Sequence, residues 1–155
     1  MYVFDNSPLS VLHKNYYRSR FPTLWNNFDQ LVASGGIAST REVAREIEDS
    51  SIAPLREWTK NNSSIFTIPT AEEGAFVATI YSIAHFQQNI EQQKLLRGGR
   101  NADPFVIAKA AINKLTVVTM ELPKPNGTKI PNICKHFSIP CLTLEQFMES
   151  EGWQF

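Results

Sequence analysis

The chain has 155 residues, 43% of them hydrophobic, with 15 basic and 15 acidic side chains. That is enough for one substantial core, and the absence of net charge excludes a global pull toward polyanions. The two cysteines, Cys134 and Cys141, form neither a disulfide framework nor a CxxC pair and are expected reduced and buried. No basic-then-apolar leader and no apolar run of membrane-spanning length is visible, so the expectation is one soluble cytoplasmic domain over residues 1–155, with no membrane partner.

Taken in order, Tyr2-Val3-Phe4 predicts a short strand that delivers Asp5 into a helix, with Ser7 as N-cap and Pro8 in the first turn. A second helix starts near Pro22, carries Leu24, Trp25, Phe28, Leu31 and Val32 at helical spacing, and stops at Gly35-Gly36. Ile37-Ala38 is a minimal strand. Ser39 or Thr40 caps the next helix, with Glu42 completing a capping box from Ser39 and Val43, Ala44 and Ile47 as its apolar stripe. Pro54, Leu55 and Trp58 predict a short helix, Asn61 to Ser64 a loop, and Ile65 to Ile68 a third strand. A capping box at Thr70-Ala71-Glu72-Glu73 opens a long helix through Phe76, Val77, Ile80, Ile83 and Ala84, whose polar end at Gln87 to Gln93 reads as an exposed extension.

Asn101-Ala102-Asp103-Pro104-Phe105 then sets an acid before an alanine-rich helix, with Asp103 expected at the N-cap and Phe105, Ile107, Ala108, Ala111 and Ile112 buried. Thr116 to Thr119 is a buried strand ending just before Glu121. Asn126-Gly127 makes a turn, Pro131 opens a short helix, and Ile139-Pro140-Cys141-Leu142 is an edge strand because its proline cannot donate to a ladder. Thr143 and Gln146 cap a last helix, with Trp153 and Phe155 available to pin the C-terminus.

Short apolar strands alternating with helices imply a mainly parallel sheet covered on both faces, with functional residues beyond the carboxyl ends of the strands. Asp5, Glu121, Asp103 and one of Glu42 or Glu46 are expected at that edge. Carboxylates that converge either take up protons or bind a cation, and hard oxygen donors suit magnesium or manganese. Such an ion beside a phosphodiester would activate water and stabilise the leaving oxygen.

Tyr-Val-Phe-Asp5, a Glu on the helix after the second strand, Ala-Asp103-Pro-Phe-Val-Ile-Ala, Val-Val-Thr119-Met-Glu121 and Lys-Ile-Pro131-Asn-Ile-Cys134 span nearly the whole chain. In order and spacing they resemble PIN domains, and within them the small PIN-like DUF4411 group. The resemblance implies a three-layer α/β/α domain with a sheet of about five short strands. It also implies a Mg2+- or Mn2+-dependent ribonuclease of the kind found as the toxin of VapBC-like toxin–antitoxin pairs, with RNA as substrate, an antitoxin as partner, and a homodimer as the assembly. Carried over by position, the acids are Asp5, Glu46, Asp103 and Glu121, with Glu42 as the alternative second acid and Ser7 and Thr119 as supporting hydroxyls. Many PIN domains carry Asp where this chain has Glu121. Tyr16, Tyr17 and Trp153 stand as dimer contacts or as core.

Other chemistries find less support. His13, His85 and His136 lack zinc-ligand spacing with one another or with the cysteines, and a thiol nucleophile would need a nearby base and a lowered pKa, whereas Cys134 and Cys141 lie among apolar residues at expected core positions. Lys94, Arg97 and Arg100 form a basic run before Asp103, suited to a phosphate backbone, but no GxxxxGK[ST] pattern marks a nucleotide loop. A binding module that keeps the fold without cleaving is the alternative to the nuclease. A phosphoryl-accepting domain using Asp5 would need the DxDx[TV] start that is missing.

Overall fold

The computed structural model describes residues 1–91 and 101–155 in full and 92–96 by their backbone. Five parallel strands, β1 (Tyr2–Phe4), β2 (Ile37–Thr40), β3 (Phe66–Thr67), β4 (Thr116–Val118) and β5 (Cys141–Leu142), form one sheet in the order β3-β2-β1-β4-β5. β1 is central, with Tyr2 in register with Ile37 on one side and Thr116 on the other. Because every strand runs the same way, Asp5, Thr40 and Thr119 all leave the sheet at one edge. β5 is an outer strand, which is where Pro140, without an N–H to give, is tolerated.

Helices cover both faces: α1 (Asn6–Asn15), α2 (Pro22–Ala33), α3 (Arg41–Glu48), α4 (Ala53–Asn61), α5 (Ala71–Tyr81), α6 (Gln87–Leu96), α7 (Asp103–Asn113), α8 (Ile130–His136) and α9 (Leu144–Ser150). Alternation along β1 sends Tyr2 and Phe4 to one face, where Phe4 meets Phe28 of α2 and Phe147 of α9 edge-on. On the other face α7 packs against β1 and β2 and carries α5 and α8 outside it. The result is a three-layer α/β/α domain, as the alternation of elements implies. Among the described residues no helix is long and apolar enough to cross a membrane.

Several local expectations are corrected. α1 begins at Asn6 with Asp5, not Ser7, in the N-cap position. Thr40 caps α3 by accepting from Val43 N at 3.4 Å, and no capping box forms from Ser39, whose Oγ donates instead to Phe4 O at 2.7 Å and ties β2 to β1. The helix after Thr70 does not run on: α5 stops at Tyr81, a 3-10 turn spans Ala84–Phe86, and α6 starts anew. α7 is capped by Ala102, which puts Asp103 at its first helical position. The helix is buried through Val106, Ile107, Ala108 and Ala110, while Ile112 faces solvent, because a helix between a sheet and two further helices has little free face. Cys134 is buried and Cys141 half-buried. Tyr16 and Trp153 pack against the core, whereas Tyr17 and Phe155 are exposed.

One buried base makes stability pH-dependent. His13 lies between the Trp25 and Trp58 rings and its Nδ1–H donates to Leu9 O at 2.9 Å as the neutral ring requires, leaving Nε2 buried with no hydrogen-bond partner among the described residues. Burial pushes its pKa below 6.5, helped by Arg18 and opposed by Asp29 and the Leu9 bond. The unfolded chain therefore binds the proton first. Stability should be level above the unfolded value and fall as pH drops from 6.5 toward the lower folded value, and His13→Phe should flatten that slope in unfolding curves at pH 7.5 and 5.5.

Candidate functional site

The site is built where β1 and β4 end. Asp5 N still donates to Val118 O at 3.0 Å, so the residue is held as an extension of the sheet while its side chain turns over the carboxyl edge. The carboxylate is 1% exposed, and its Oδ2 accepts from Ser7 Oγ at 2.9 Å and from Thr119 Oγ1 at 3.1 Å. Each hydroxyl spends its single proton on Asp5 and accepts from the backbone after β4: Met120 N donates to Ser7 Oγ at 3.0 Å and Glu121 N to Thr119 Oγ1 at 3.2 Å. Asp5 Oδ1 is buried and has no hydrogen-bond partner among the described residues.

The second half of the site gathers at the start of α7. Ala102 N donates to Glu46 Oε1 at 3.2 Å, which brings α3 to the N-terminus of α7. Glu46 is mostly buried, while Glu42, one turn earlier, is engaged by Arg41 at 2.9 Å and Arg45 at 3.4 Å. Asp103, 1% exposed, accepts from Asn89 Nδ2 at 3.1 Å, and the same nitrogen donates to Thr128 O at 2.9 Å. Asn101 orients that amide by donating to Asn89 Oδ1 at 2.8 Å and to Tyr81 OH at 3.1 Å, and its own Oδ1 accepts from Asp103 N at 3.2 Å. Burial, and then the charge of Asp103, pushes the Tyr81 phenol far above its usual range, so it stays an O–H donor. Beside this network lies a cavity of about 600 Å³, bordered by Asn101, Ala102, Phe105, Glu42 and Arg45.

Glu121 follows Thr119 beyond β4. It is half-buried, and its Oε2 accepts from Ile130 N at 2.9 Å, satisfying the first N–H of α8. Thr119 thus joins the Asp5 carboxylate to the backbone of Glu121, and Glu46 reaches the backbone of Ala102, the residue before Asp103. Among the described residues no three His, Cys, Asp or Glu side chains stand close enough to hold a metal ion together. A hard cation that keeps several waters is held by only one or two carboxylates, and the unsatisfied Oδ1 of Asp5 fits that mode better than a four-carboxylate cage. Lys94, Arg97 and Arg100 lie outside the described residues, Lys94 by its side chain. Cys134 offers no nucleophile: its hydrogen bond with Cys141, burial and the charge of Glu121 all push its thiol up.

With this geometry, comparison with known proteins is decisive for the family. The model for a domain of unknown function, DUF4411, matches residues 2–155. The chain belongs to the DUF4411 family. No curated protein matches it. Among solved structures, a chain in the crystal structure of VapBC2 from Rickettsia felis bound to a DNA fragment from their promoter aligns over 92% of this DUF4411 chain and 97% of its own length, with a TM-score of 0.51 at 15% identity. That likeness shows a PIN-like fold.

The candidate site of this DUF4411 protein also holds residues that sequence reasoning passed over. Asn89, 2% exposed, lies in the segment expected to be an exposed extension, and Tyr81, Asn101 and Thr128 carried no role. A signal was present in Asn101, two residues before Asp103, the spacing of an Asx turn in which a side-chain oxygen meets an N–H two residues on. Asn89 gave none, since one amide in a polar helix looks the same whether it faces solvent or a carboxylate.

Proposed function

We propose that this protein is a metal-dependent endoribonuclease, hydrolysing RNA phosphodiester bonds in the cytoplasm as the toxin of a toxin–antitoxin pair. The observation that supports this most directly is Asp5 Oδ1, a buried carboxylate oxygen with no hydrogen-bond partner among the described residues, at the carboxyl edge of the sheet. Leaving such an atom unsatisfied costs stability, and a cation is the partner that its chemistry suits. Asp5 would hold the ion, with Glu46, Asp103 and Glu121 contributing directly or through water. A bound Mg2+ or Mn2+ would supply an acidified water and charge stabilisation on the phosphate oxygens. Ser7 and Thr119 hold Oδ2 of Asp5 so that Oδ1 is the oxygen presented, while Asn89 and Asn101 fix Asp103. The antitoxin would cover the acidic edge with a cationic side chain among the carboxylates. A homodimer would use exposed aromatic surface such as Tyr17.

The test is cleavage of labelled structured and single-stranded RNAs. Cutting in magnesium or manganese should disappear in EDTA and return when metal is restored. RNA that is retained but never cut by folded, inhibitor-free protein would transfer the assignment to a non-catalytic binding module. That second reading draws on the absence, among the described residues, of three His, Cys, Asp or Glu side chains close enough to hold a metal ion together.

A further inference from the structure

Between β4 and α8 the chain crosses the acidic edge as a tight turn with chemistry the acids do not use. Asn126 takes φ 52 and Gly127 N donates to Lys124 O at 2.8 Å, closing the turn. Asn132 holds its stem, donating to Lys124 O at 2.8 Å and accepting from Lys124 N at 3.2 Å. A Cβ on Gly127 would meet Lys124 O at 2.9 Å, so this backbone path needs glycine. The turn encloses a pocket of about 260 Å³ lined by Gln88, Lys124, Asn126, Gly127, Thr128 and Lys129. Drug-sized ligands occupy about 300–1,000 Å³, so this one suits a single small group.

Three features of the lining favour an anion. Neither Lys124 nor Lys129 has a carboxylate partner among the described residues. Thr128 is 3% exposed, yet its Oγ1 is buried without a hydrogen-bond partner among those residues. An unused buried hydroxyl is costly to leave unpaired, and it belongs to a residue that lines this pocket. Gln88 adds a neutral amide.

The pocket is also tied to both halves of the acidic site. Thr128 O shares the Asn89 amide nitrogen with Asp103, and Ile130 N donates to Glu121, so Lys129 stands between two backbone groups anchored to the acids. We propose that this pocket binds an internal phosphate of the RNA strand, next to the one presented to Asp5, an inference that rests on the ribonuclease reading. Two ammonium groups there offset the repulsion the carboxylates exert on the strand, and the Thr128 hydroxyl supplies a directed donor. Contacts of this kind set register and carry no base specificity.

The experiment uses the full chain in EDTA, measuring affinity for single-stranded RNA oligonucleotides with a 5′-hydroxyl or a 5′-phosphate across a range of salt. Each lysine contact removed should lower the slope of log K against log salt by about 0.7, so Lys124→Gln with Lys129→Gln should show a visibly shallower line, and the two Lys→Arg replacements should keep the wild-type slope. Thr128→Val should weaken binding roughly tenfold and Thr128→Ser should restore it. An unchanged slope in the double variant overturns the site. Weakening confined to the 5′-phosphorylated oligonucleotide overturns the assignment to an internal phosphate. A shallower slope in a protein that shows no metal-dependent cleavage leaves the phosphate site standing and removes the ribonuclease reading alone.

Discussion

Asp5→Asn should lower metal-dependent RNA cleavage by about a thousandfold or more while the protein keeps or gains thermal stability in EDTA. The loss is expected because the variant presents a neutral amide where Oδ1 stood, and an amide nitrogen has no lone pair for a cation. Stability should not suffer. The remaining Oδ1 of Asn can accept the same bonds from Ser7 and Thr119 that Oδ2 of Asp5 accepts at 2.9 and 3.1 Å, so the hydroxyls keep their roles. At the other position an uncharged group replaces a charged oxygen that is buried without a donor among the described residues, and burying a neutral polar atom costs far less than burying a charge. Each kcal/mol gained would raise Tm by about 2–4 °C. Asp103→Asn should lose activity likewise. Full activity in Asp5→Asn, with contaminating nuclease excluded, would remove Asp5 from the site. Lost activity with a collapsed Tm would show a structural role instead.

The contrast explains how far the sequence could be read. Strand identity came easily where an apolar run met a turn: Tyr2-Val3-Phe4, Thr116 onward and the proline-bearing edge at Cys141 all lie within a residue or two of their expected places. Parallel connectivity followed from alternation and placed Asp5 and Thr119 at one edge. Caps were less legible because they turn on single hydrogen bonds. Ser39 and Thr40 are equally good caps on paper, yet Ser39 Oγ is taken by Phe4 O from the neighbouring strand, a contact no local pattern encodes. Glu42 and Glu46 lie one turn apart and look alike in sequence. What separates them is tertiary: Arg41 and Arg45 engage the first, and the backbone of Ala102 meets the second. The polar environment of Asp103 was the least legible part, since Tyr81, Asn89 and Thr128 come from three segments that only the fold brings together.

That environment carries the second large effect. Asn89→Leu should destabilise the protein by roughly 2–4 kcal/mol, because Asp103 Oδ2 and Thr128 O each lose a donor in a buried setting. It should also lower cleavage by about 10–100-fold, the usual cost of losing a group that orients a ligand side chain. The two effects separate by comparison with Tyr81→Phe, which deletes one hydroxyl of the ring of bonds but leaves the Asn89 contacts to Asp103 and Thr128 in place. If Asn89 acts only as packing, the two variants should lose activity in proportion to their loss of Tm. If it fixes Asp103 and the turn beyond Thr128 together, Asn89→Leu should fall below that proportion at temperatures where both variants are folded. The strand path over Lys129 should then loosen too, raising KM along with the drop in kcat, because the same amide nitrogen holds the carboxylate and the turn.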